Sequence, residues 1–313
     1  MQQLIVGSRD SQLALIQAHY VIGEIKKYFP QYEFKIKEIK TEGDKILDVA
    51  LAKIGGKGLF VKEIENALLN GQIDIAVHSM KDVPTLLPEG LRISAVTRRE
   101  DPRDCYIARD GKTALFAARE GAVIGTSSLR RSAQLLHTRP DLKIVPIRGN
   151  LNTRLRKLHT LELDGIVLAY AGVHRLGWAD KITAIIDFSD CLPAVGQGAL
   201  GIETRSGDEQ VNEVVSVLND AAANAAITAE RAFLRKLEGG CQVPIGAYGR
   251  LEGKELVLDG VVAGLDGSVV LRGKAAGDPA LSAALGRQLA ENLIERGAAD
   301  ILIKARQECE ADA

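Results

Sequence analysis

The sequence lacks a charge excess, a cysteine pattern and any long apolar run. Its 313 residues carry a formal net charge of -1, so no overall field attracts nucleic acid or an anionic membrane. The four cysteines are scattered and form no CxxC pair, which argues against a zinc site and a disulfide framework. No apolar stretch approaches the roughly 20 residues that cross a bilayer, and the first residues do not resemble a secretory signal. We expect a soluble, cytoplasmic protein with no metal and no membrane contact.

Aromatic residues are also few. At 4% of the chain they leave few side chains for stacking on nucleic-acid bases.

A chain of 313 residues exceeds the size at which one core usually keeps growing, so two or three domains are expected.

Short apolar runs alternate with longer helical patterns. Leu4–Val6 leads into a helical pattern from Gln12 to Lys27, and Phe34–Ile39 alternates like a half-buried strand. Further apolar runs at Ile73–Val77 and Gly165–Ala169 are also predicted to form buried strands. Such alternation predicts an α/β architecture with mostly parallel sheets.

The composition changes near Asn219. An alanine-rich helical run begins there, followed by a predicted hairpin from Lys254 to Lys274 and a final amphipathic helix from Leu281 to Arg296. This part of the chain is predicted to form a separate small α+β domain.

A basic stretch covers residues 127–157. It contains eight basic residues and a single acid, Asp141, in a chain that is otherwise nearly neutral. Arg130 and Arg131 follow a small-residue turn where a helix should begin, and Arg148 has a similar setting; helix N-termini favour anions. The stretch could form a solvated helix face, but the predominance of arginine favours binding of several carboxylates or phosphates.

Glycines and lysines are concentrated in residues 43–58. The pattern fits a mobile loop that closes over an anion, and it equally fits a helix that ends in a glycine turn.

The run Ile73–Val77 continues into the polar residues His78, Ser79, Lys81 and Asp82. In open α/β sheets, ligands bind at the carboxyl ends of strands, where these side chains would emerge. Aspartate also caps turns, and position alone favours that role for Asp82.

Cys241 lies in a different setting from Cys105 and Cys191. Two glycines precede it and a proline follows three residues later, which predicts a turn that exposes the thiol. An exposed thiol suits covalent attachment, whereas Cys105 and Cys191 are interpreted as buried, inert side chains.

Together these segments resemble the porphobilinogen deaminase family. Eight motifs occur in the family's order and cover residues 7–246. They are Gly7-Ser8-Arg9-Asp10-Ser11-Gln12-Leu13-Ala14, Lys57-Gly58-Leu59-Phe60-Val61-Lys62-Glu63, His78-Ser79-Met80-Lys81-Asp82-Val83-Pro84, Arg99-Glu100-Asp101-Pro102-Arg103-Asp104, Gly125-Thr126-Ser127-Ser128-Leu129-Arg130-Arg131, Arg148-Gly149-Asn150-Leu151-Asn152-Thr153-Arg154, Leu192-Pro193-Ala194-Val195-Gly196-Gln197-Gly198-Ala199-Leu200 and Gly239-Gly240-Cys241-Gln242-Val243-Pro244.

The resemblance implies two doubly wound α/β lobes similar to those of periplasmic binding proteins, with the active cleft between them, and a small α+β C-terminal domain. The implied boundaries are residues 1–97 with 198–218 for the first lobe, 98–197 for the second and 219–313 for the third domain. The family expectation is a monomer.

The resemblance also implies a transferase that deaminates and polymerises four porphobilinogen molecules and releases a linear tetrapyrrole, hydroxymethylbilane, by hydrolysis. Chain growth starts on a dipyrromethane cofactor, bound as a thioether to Cys241, and Asp82 is the implied catalytic carboxylate. The implied cofactor-binding residues are Lys81, Asp82, Ser127, Arg130 and Arg131. The implied substrate-binding residues are Arg9, Arg148, Arg154, Arg175 and Gln197. The implied mobile-loop residues are Lys53, Lys57 and Phe60.

Two other classes of protein compete with this interpretation. A non-enzymatic two-lobed binding protein would use the basic stretch to hold an anionic ligand but would need neither Cys241 nor a third domain. A nucleic-acid-binding protein would show steeply salt-dependent retention of DNA or RNA.

Overall fold

The computed structural model describes residues 2–42, 61–238 and 243–311. The strands are β1 (Gln2–Arg9), β2 (Tyr32–Ile39), β3 (Ile75–Ser79), β4 (Leu91–Val96), β5 (Asp104–Ala108), β6 (Val123–Gly125), β7 (Lys143–Val145), β8 (Gly165–Ala169), β9 (Ala184–Ile185), β10 (Leu200–Arg205), β11 (Ile245–Glu252), β12 (Glu255–Ala263) and β13 (Val270–Gly277). The helices are α1 (Gln12–Lys26), α2 (Lys62–Leu69), α3 (Leu129–Thr138), α4 (Leu151–Thr160), α5 (Tyr170–Arg175), α6 (Glu209–Ser216), α7 (Ala221–Lys236), α8 (Ser282–Glu295) and α9 (Ala298–Ala311).

The chain contacts divide the described residues into two compact units. The first contains residues 2–42, 61–100 and 198–224, and the second contains 101–197 together with 225–238 and 243–311. The three-domain boundaries stay a prediction, because this division separates two units and not three.

The first unit is built on a five-stranded sheet with the order β2-β1-β3-β10-β4. Strands β1, β2 and β3 pair in parallel, and β10 runs antiparallel to both of its neighbours. The hydroxyl of Ser11 caps α1 by accepting from the Ala14 amide at 3.3 Å. Apolar residues spaced three or four apart on α1, among them Ala18, Ile22 and Ile25, then bury one face of this helix in the core of the unit.

The second unit contains a sheet of the same design, with the order β7-β6-β8-β5-β9. Strands β6, β7 and β8 are parallel, whereas β5 is antiparallel to both β8 and β9. Helix α3 follows β6 and is capped by Ser128; helix α4 follows β7 and is capped by Asn150. These are the two strand-to-helix junctions that the basic stretch predicts.

The second unit also contains a three-stranded antiparallel sheet, β11-β12-β13, covered by helices α7 and α8. The predicted hairpin is confirmed as β12 and β13. The prediction that α8 is the final helix is wrong, because α9 follows it after a turn at Gly297, whose φ is +98°. The fold is therefore mixed α/β with two doubly wound sheets and a smaller α+β part. No helix of the described residues is long and apolar enough to cross a membrane.

Candidate active site

Asp82 lies at the end of a short 3-10 turn, Met80–Asp82, that directly follows β3. Its neighbours Met80 and Val83 are buried, whereas the side chains of Lys81 and Asp82 are partly exposed. Ser79, not Asp82, occupies the capping position of the turn. Within the described part of the chain, no hydrogen bond reaches the Asp82 carboxylate. The contacts of this side chain therefore do not support the capping interpretation.

His78 does not emerge at the carboxyl end of β3 as expected. It lies within the strand, is 5% exposed, and its Nε2 lies 2.9 Å from Oε2 of the buried Glu203. The strand continues two residues further than the apolar run suggests, because β10 pairs with it as far as Ser79.

Arg9 shares one sheet edge with Lys81 and Asp82. It is the last residue of β1, which runs parallel to β3. Since the carboxyl ends of parallel strands meet at one edge of a sheet, the structure brings these three predicted residues to that edge.

The arginines at the start of α3 are buried and share one carboxylate. Arg130 Nη1 donates to Asp104 Oδ2, and Arg131 Nη2 donates to Asp104 Oδ1, each at 2.7 Å. Asp104 is 0% exposed, and the two arginines are 5% and 4% exposed. Burial alone would raise the pKa of Asp104, but the charges of Arg130 and Arg131 outweigh it and hold this pKa far below its usual range.

The cluster of Asp104, Arg130 and Arg131 keeps an excess positive charge. The Nε groups of both arginines are buried and have no hydrogen-bond partner among the described residues. An unmet charged donor in a dry site is costly unless an anion satisfies it. This cluster can therefore accept an additional carboxylate or phosphate.

Gln197 and Ser127 border this cluster. The Gln197 amide donates to Asp104 Oδ1 at 2.9 Å and to the Pro102 carbonyl at 2.7 Å. The Ser127 hydroxyl donates to the Ile147 carbonyl at 2.7 Å. Both side chains thus hold fixed orientations beside the start of α3.

Arg148 lies in the turn between β7 and α4. Burial lowers its pKa, and no described carboxylate pairs with it. The following Gly149 has a φ of +102°, and a Cβ there would lie 2.6 Å from Thr153 Cγ2, so only glycine fits this turn. The Arg154 Nε donates to the Gly149 carbonyl at 2.9 Å, which ties the turn to the first residues of α4.

Arg175 is the last residue of α5, the helix that follows β8. Arg139, another basic residue of the stretch 127–157, pairs with Asp141 at 2.6 Å, so its charge is balanced within the protein. Four predicted site residues, Lys53, Lys57, Phe60 and Cys241, lie outside the described residues.

Two other cysteines are chemically inert. Cys105 and Cys191 are both fully buried, and burial raises the pKa of each thiol to about 12. A thiol with so high a pKa provides almost no thiolate at neutral pH, so neither can serve as a nucleophile. This confirms their interpretation as buried structural residues.

Sequence reasoning missed Asp104 and Glu203 as parts of these clusters. Each is an acid within a strand whose residues are nearly all buried. An ionisable residue in such a strand requires a buried partner. An acid within an apolar strand pattern is therefore the sequence signal that could have predicted these clusters.

The chain matches family models over most of its length. Residues 4–213 match the model described as "Porphobilinogen deaminase, dipyromethane cofactor binding domain", and residues 224–295 match "Porphobilinogen deaminase, C-terminal domain".

Curated relatives give the same result. The chain is 55% identical to the porphobilinogen deaminase of Carboxydothermus hydrogenoformans over 98% of both chains. It is 53% identical to that of Desulforudis audaxviator over 97% of this chain and 98% of the relative, and 51% identical to that of Bacillus cereus over 98% and 99%. Among solved structures, the methionine-binding protein MetQ is 14% identical, with a TM-score of 0.44 over 69% of this chain and 88% of that chain. The family models and the curated relatives place this chain in the porphobilinogen deaminase family.

Proposed function

We propose that Asp82 is the catalytic carboxylate of this enzyme. The observation that supports this role is its position: a partly exposed carboxylate at the carboxyl end of β3, on a turn with both ends buried, and without a hydrogen-bond partner among the described residues. A carboxylate held in this way is available to substrate.

The charges that develop during the reaction explain why a carboxylate is needed at this position. The enzyme deaminates four porphobilinogen molecules, joins them in sequence on a dipyrromethane primer and releases hydroxymethylbilane by hydrolysis. Positive charge develops on the pyrrole nitrogen as ammonia leaves each substrate. A fixed carboxylate stabilises that charge and assists the proton transfers. Family membership excludes the non-enzymatic binding protein as an interpretation.

Ser127, Arg130 and Arg131 of the second unit fit the dipyrromethane cofactor. This group carries carboxylates, and no described residue supplies an acceptor to the buried Nε donors of Arg130 and Arg131. We assign Lys81, Asp82, Ser127, Arg130 and Arg131 to hold it and Cys241 to bind it covalently. When bound, the cofactor supplies the pyrrole end to which the first substrate is joined.

We assign the growing chain to a second group of residues. Every added ring brings two more carboxylates, and the half-buried Arg148, which no described carboxylate neutralises, is suited to bind them. The complete group is Arg9, Arg148, Arg154, Arg175 and Gln197. Lys53, Lys57 and Phe60 are assigned to a loop that closes over the site.

The location and assembly of the enzyme are proposals of the same kind. A net charge of -1 supports the absence of a nucleic-acid partner. We propose a monomer that acts in the cytoplasm, where the other reactions of a biosynthetic pathway take place.

The intact mass of the purified protein tests the cofactor assignment. The chain should be heavier than its sequence by two deaminated porphobilinogen units, and the excess should survive thiol reductants, because a thioether does not undergo thiol exchange. Cys241→Ser should abolish the excess mass. The matched control is Cys309→Ser, which changes the partly exposed cysteine of α9 and should retain it. An unmodified wild-type chain with full activity would end the assignment.

A further inference from the structure

Three titratable side chains are buried on one face of the first sheet, and the proposed mechanism uses none of them. His78 on β3 and Glu203 on β10 form a hydrogen bond of 2.9 Å and are 5% and 1% exposed. Glu65 on α2 is 7% exposed. One carboxylate oxygen of Glu65 and one of Glu203 have no hydrogen-bond partner within the part of the chain that the structure describes. No trio of these residue types in the described ranges forms a metal site.

The strand register explains why His78 and Glu203 meet. Gly201 lies opposite His78 and Glu203 lies opposite Ala76, so the side chains of His78 and Glu203 share one face of the sheet. A Cβ on Gly201 would lie 2.5 Å from the sulfur of Met80. The missing side chain therefore leaves room for Met80 to pack directly against β10.

The turn that carries Asp82 is fixed on both sides. Before it, the Met80 amide donates to the Ala199 carbonyl at 3.0 Å. After it, the Val83 amide donates to the Met80 carbonyl at 3.3 Å, and Val83 is 6% exposed. The bond between His78 and Glu203 begins two residues before Met80, so it fixes the strand end from which the turn departs.

We infer that Glu203 and His78 are positioning residues, whose buried hydrogen bond holds the end of β3 against β10 and thereby places Asp82. The inference rests on the proposed catalytic role of Asp82. A carboxylate accepts, so the imidazole carries its proton on Nε2 in this arrangement. The pair acts through the turn and does not touch the substrate.

The third member, Glu65, makes the cluster sensitive to pH. Burial, and then the charge of Glu203, raises the pKa of Glu65 to about 7, while His78 opposes the shift. Above that pH Glu65 is ionised, which adds its negative charge to the buried face of the sheet.

Other charged side chains lie on the elements that pack around this cluster. They are Arg9 on β1, Lys62 and Glu63 on α2, Asp74, Lys81 and Asp82 around β3, Arg92 on β4 and Arg205 on β10.

The first test compares the two ends of β3. Glu203→Leu removes the acceptor of His78, and we expect kcat to fall at least about tenfold, as for a misplaced catalytic group, with KM within about twofold of the wild type. The control is Asp74→Asn, which weakens the 2.9 Å pair with Arg205 at the other end of β3. It should lower the melting temperature and leave kcat of the folded protein unchanged. A folded Glu203→Leu enzyme with the kcat of the control would overturn the inference.

The second test places Glu203→Leu in an Asp82→Asn background. If Glu203 acts through Asp82, the second change should cost less than about twofold once Asp82 has lost its charge. A full, independent loss in both backgrounds would show that Glu203 acts elsewhere. Native turnover of Asp82→Asn alone would instead refute the catalytic assignment, so the two failures are distinguishable.

Glu203→Gln provides a variant that preserves size and an acceptor for His78. Because the amide oxygen of this variant can still accept from His78, Glu203→Gln should keep kcat within about threefold of the wild type. A folded Glu203→Gln enzyme whose kcat falls at least about tenfold would overturn the inference even if Glu203→Leu fails to fold.

Discussion

The two five-stranded sheets have the same strand design but bury clusters of opposite charge. In each, the fourth strand of the order is antiparallel to its neighbours, and that strand supplies a buried carboxylate: Glu203 on β10 and Asp104 on β5. Glu203 meets His78 and lies near Glu65, which makes an acidic cluster. Asp104 meets Arg130 and Arg131, which makes a basic one.

The difference shows that the same strand topology can enclose one cluster of constant charge and another whose charge depends on pH. Arginine does not lose its proton in a protein, so the cluster around Asp104 stays cationic at every physiological pH and suits a permanent anionic ligand. The cluster around Glu203 contains a carboxyl, that of Glu65, with a pKa of about 7, so its charge changes near neutral pH. The charge of the cluster in the second unit is constant, whereas the cluster in the unit that carries Asp82 contains a group that titrates near neutral pH.

The largest effect is expected from Asp104→Asn. This change leaves two buried guanidinium groups without their anion, and removal of one partner from a buried ion pair costs about 3–5 kcal/mol of unfolding free energy. Chemical denaturation measures it. As a control, Asp141→Asn removes the partner of the more exposed Arg139 and should cost clearly less. Equal losses would show that burial of the arginine pair has no special weight.

Asp82→Asn should leave the fold intact and slow the chemistry strongly. Asparagine keeps the shape and loses the charge, and loss of one preorganised electrostatic group costs about 100- to 1000-fold in turnover. Ammonia release and thermal melting on the same preparation measure the two effects, and Asp82→Glu should give an intermediate rate. Near-native turnover of a folded Asp82→Asn enzyme would return Asp82 to a structural role.

The smallest effect is a pH dependence of stability. The folded pKa of Glu65 lies above the unfolded value of 4.5, so the folded state binds the extra proton and unfolding free energy falls as pH rises from 4.5 to about 7. By that shift the loss is at most roughly 3 kcal/mol. Glu65→Gln should remove this slope and be the more stable protein above pH 7. Parallel stability curves for both proteins between pH 5 and 8 would contradict this.

The sequence predicted the fold class, both arginine-bearing helix starts and the inert cysteines. Local patterns were enough for these, because a capping serine or asparagine after a short apolar run marks a helix start wherever it occurs. The buried clusters depend on pairings across the chain: Glu203 meets a histidine 125 residues away, and Asp104 meets an arginine 26 residues away. No local pattern encodes such a pairing. His78 was therefore expected at the strand end, although β10 covers it.

The position of β10 in the sheet affects how the first unit can fold while the chain is synthesised on the ribosome. This strand fills the gap between β3 and β4, yet it leaves the ribosome only after the whole second sheet has been made. About 100 residues separate β4 from β10, and at about 5–20 residues per second their synthesis takes roughly 5–20 seconds. During that interval β3 and β4 have unpaired edges and Glu203 is absent, so the nascent first sheet is exposed to edge-to-edge association. Glu203, which we infer to hold the strand end before Asp82, thus belongs to the strand whose pairing closes these exposed edges.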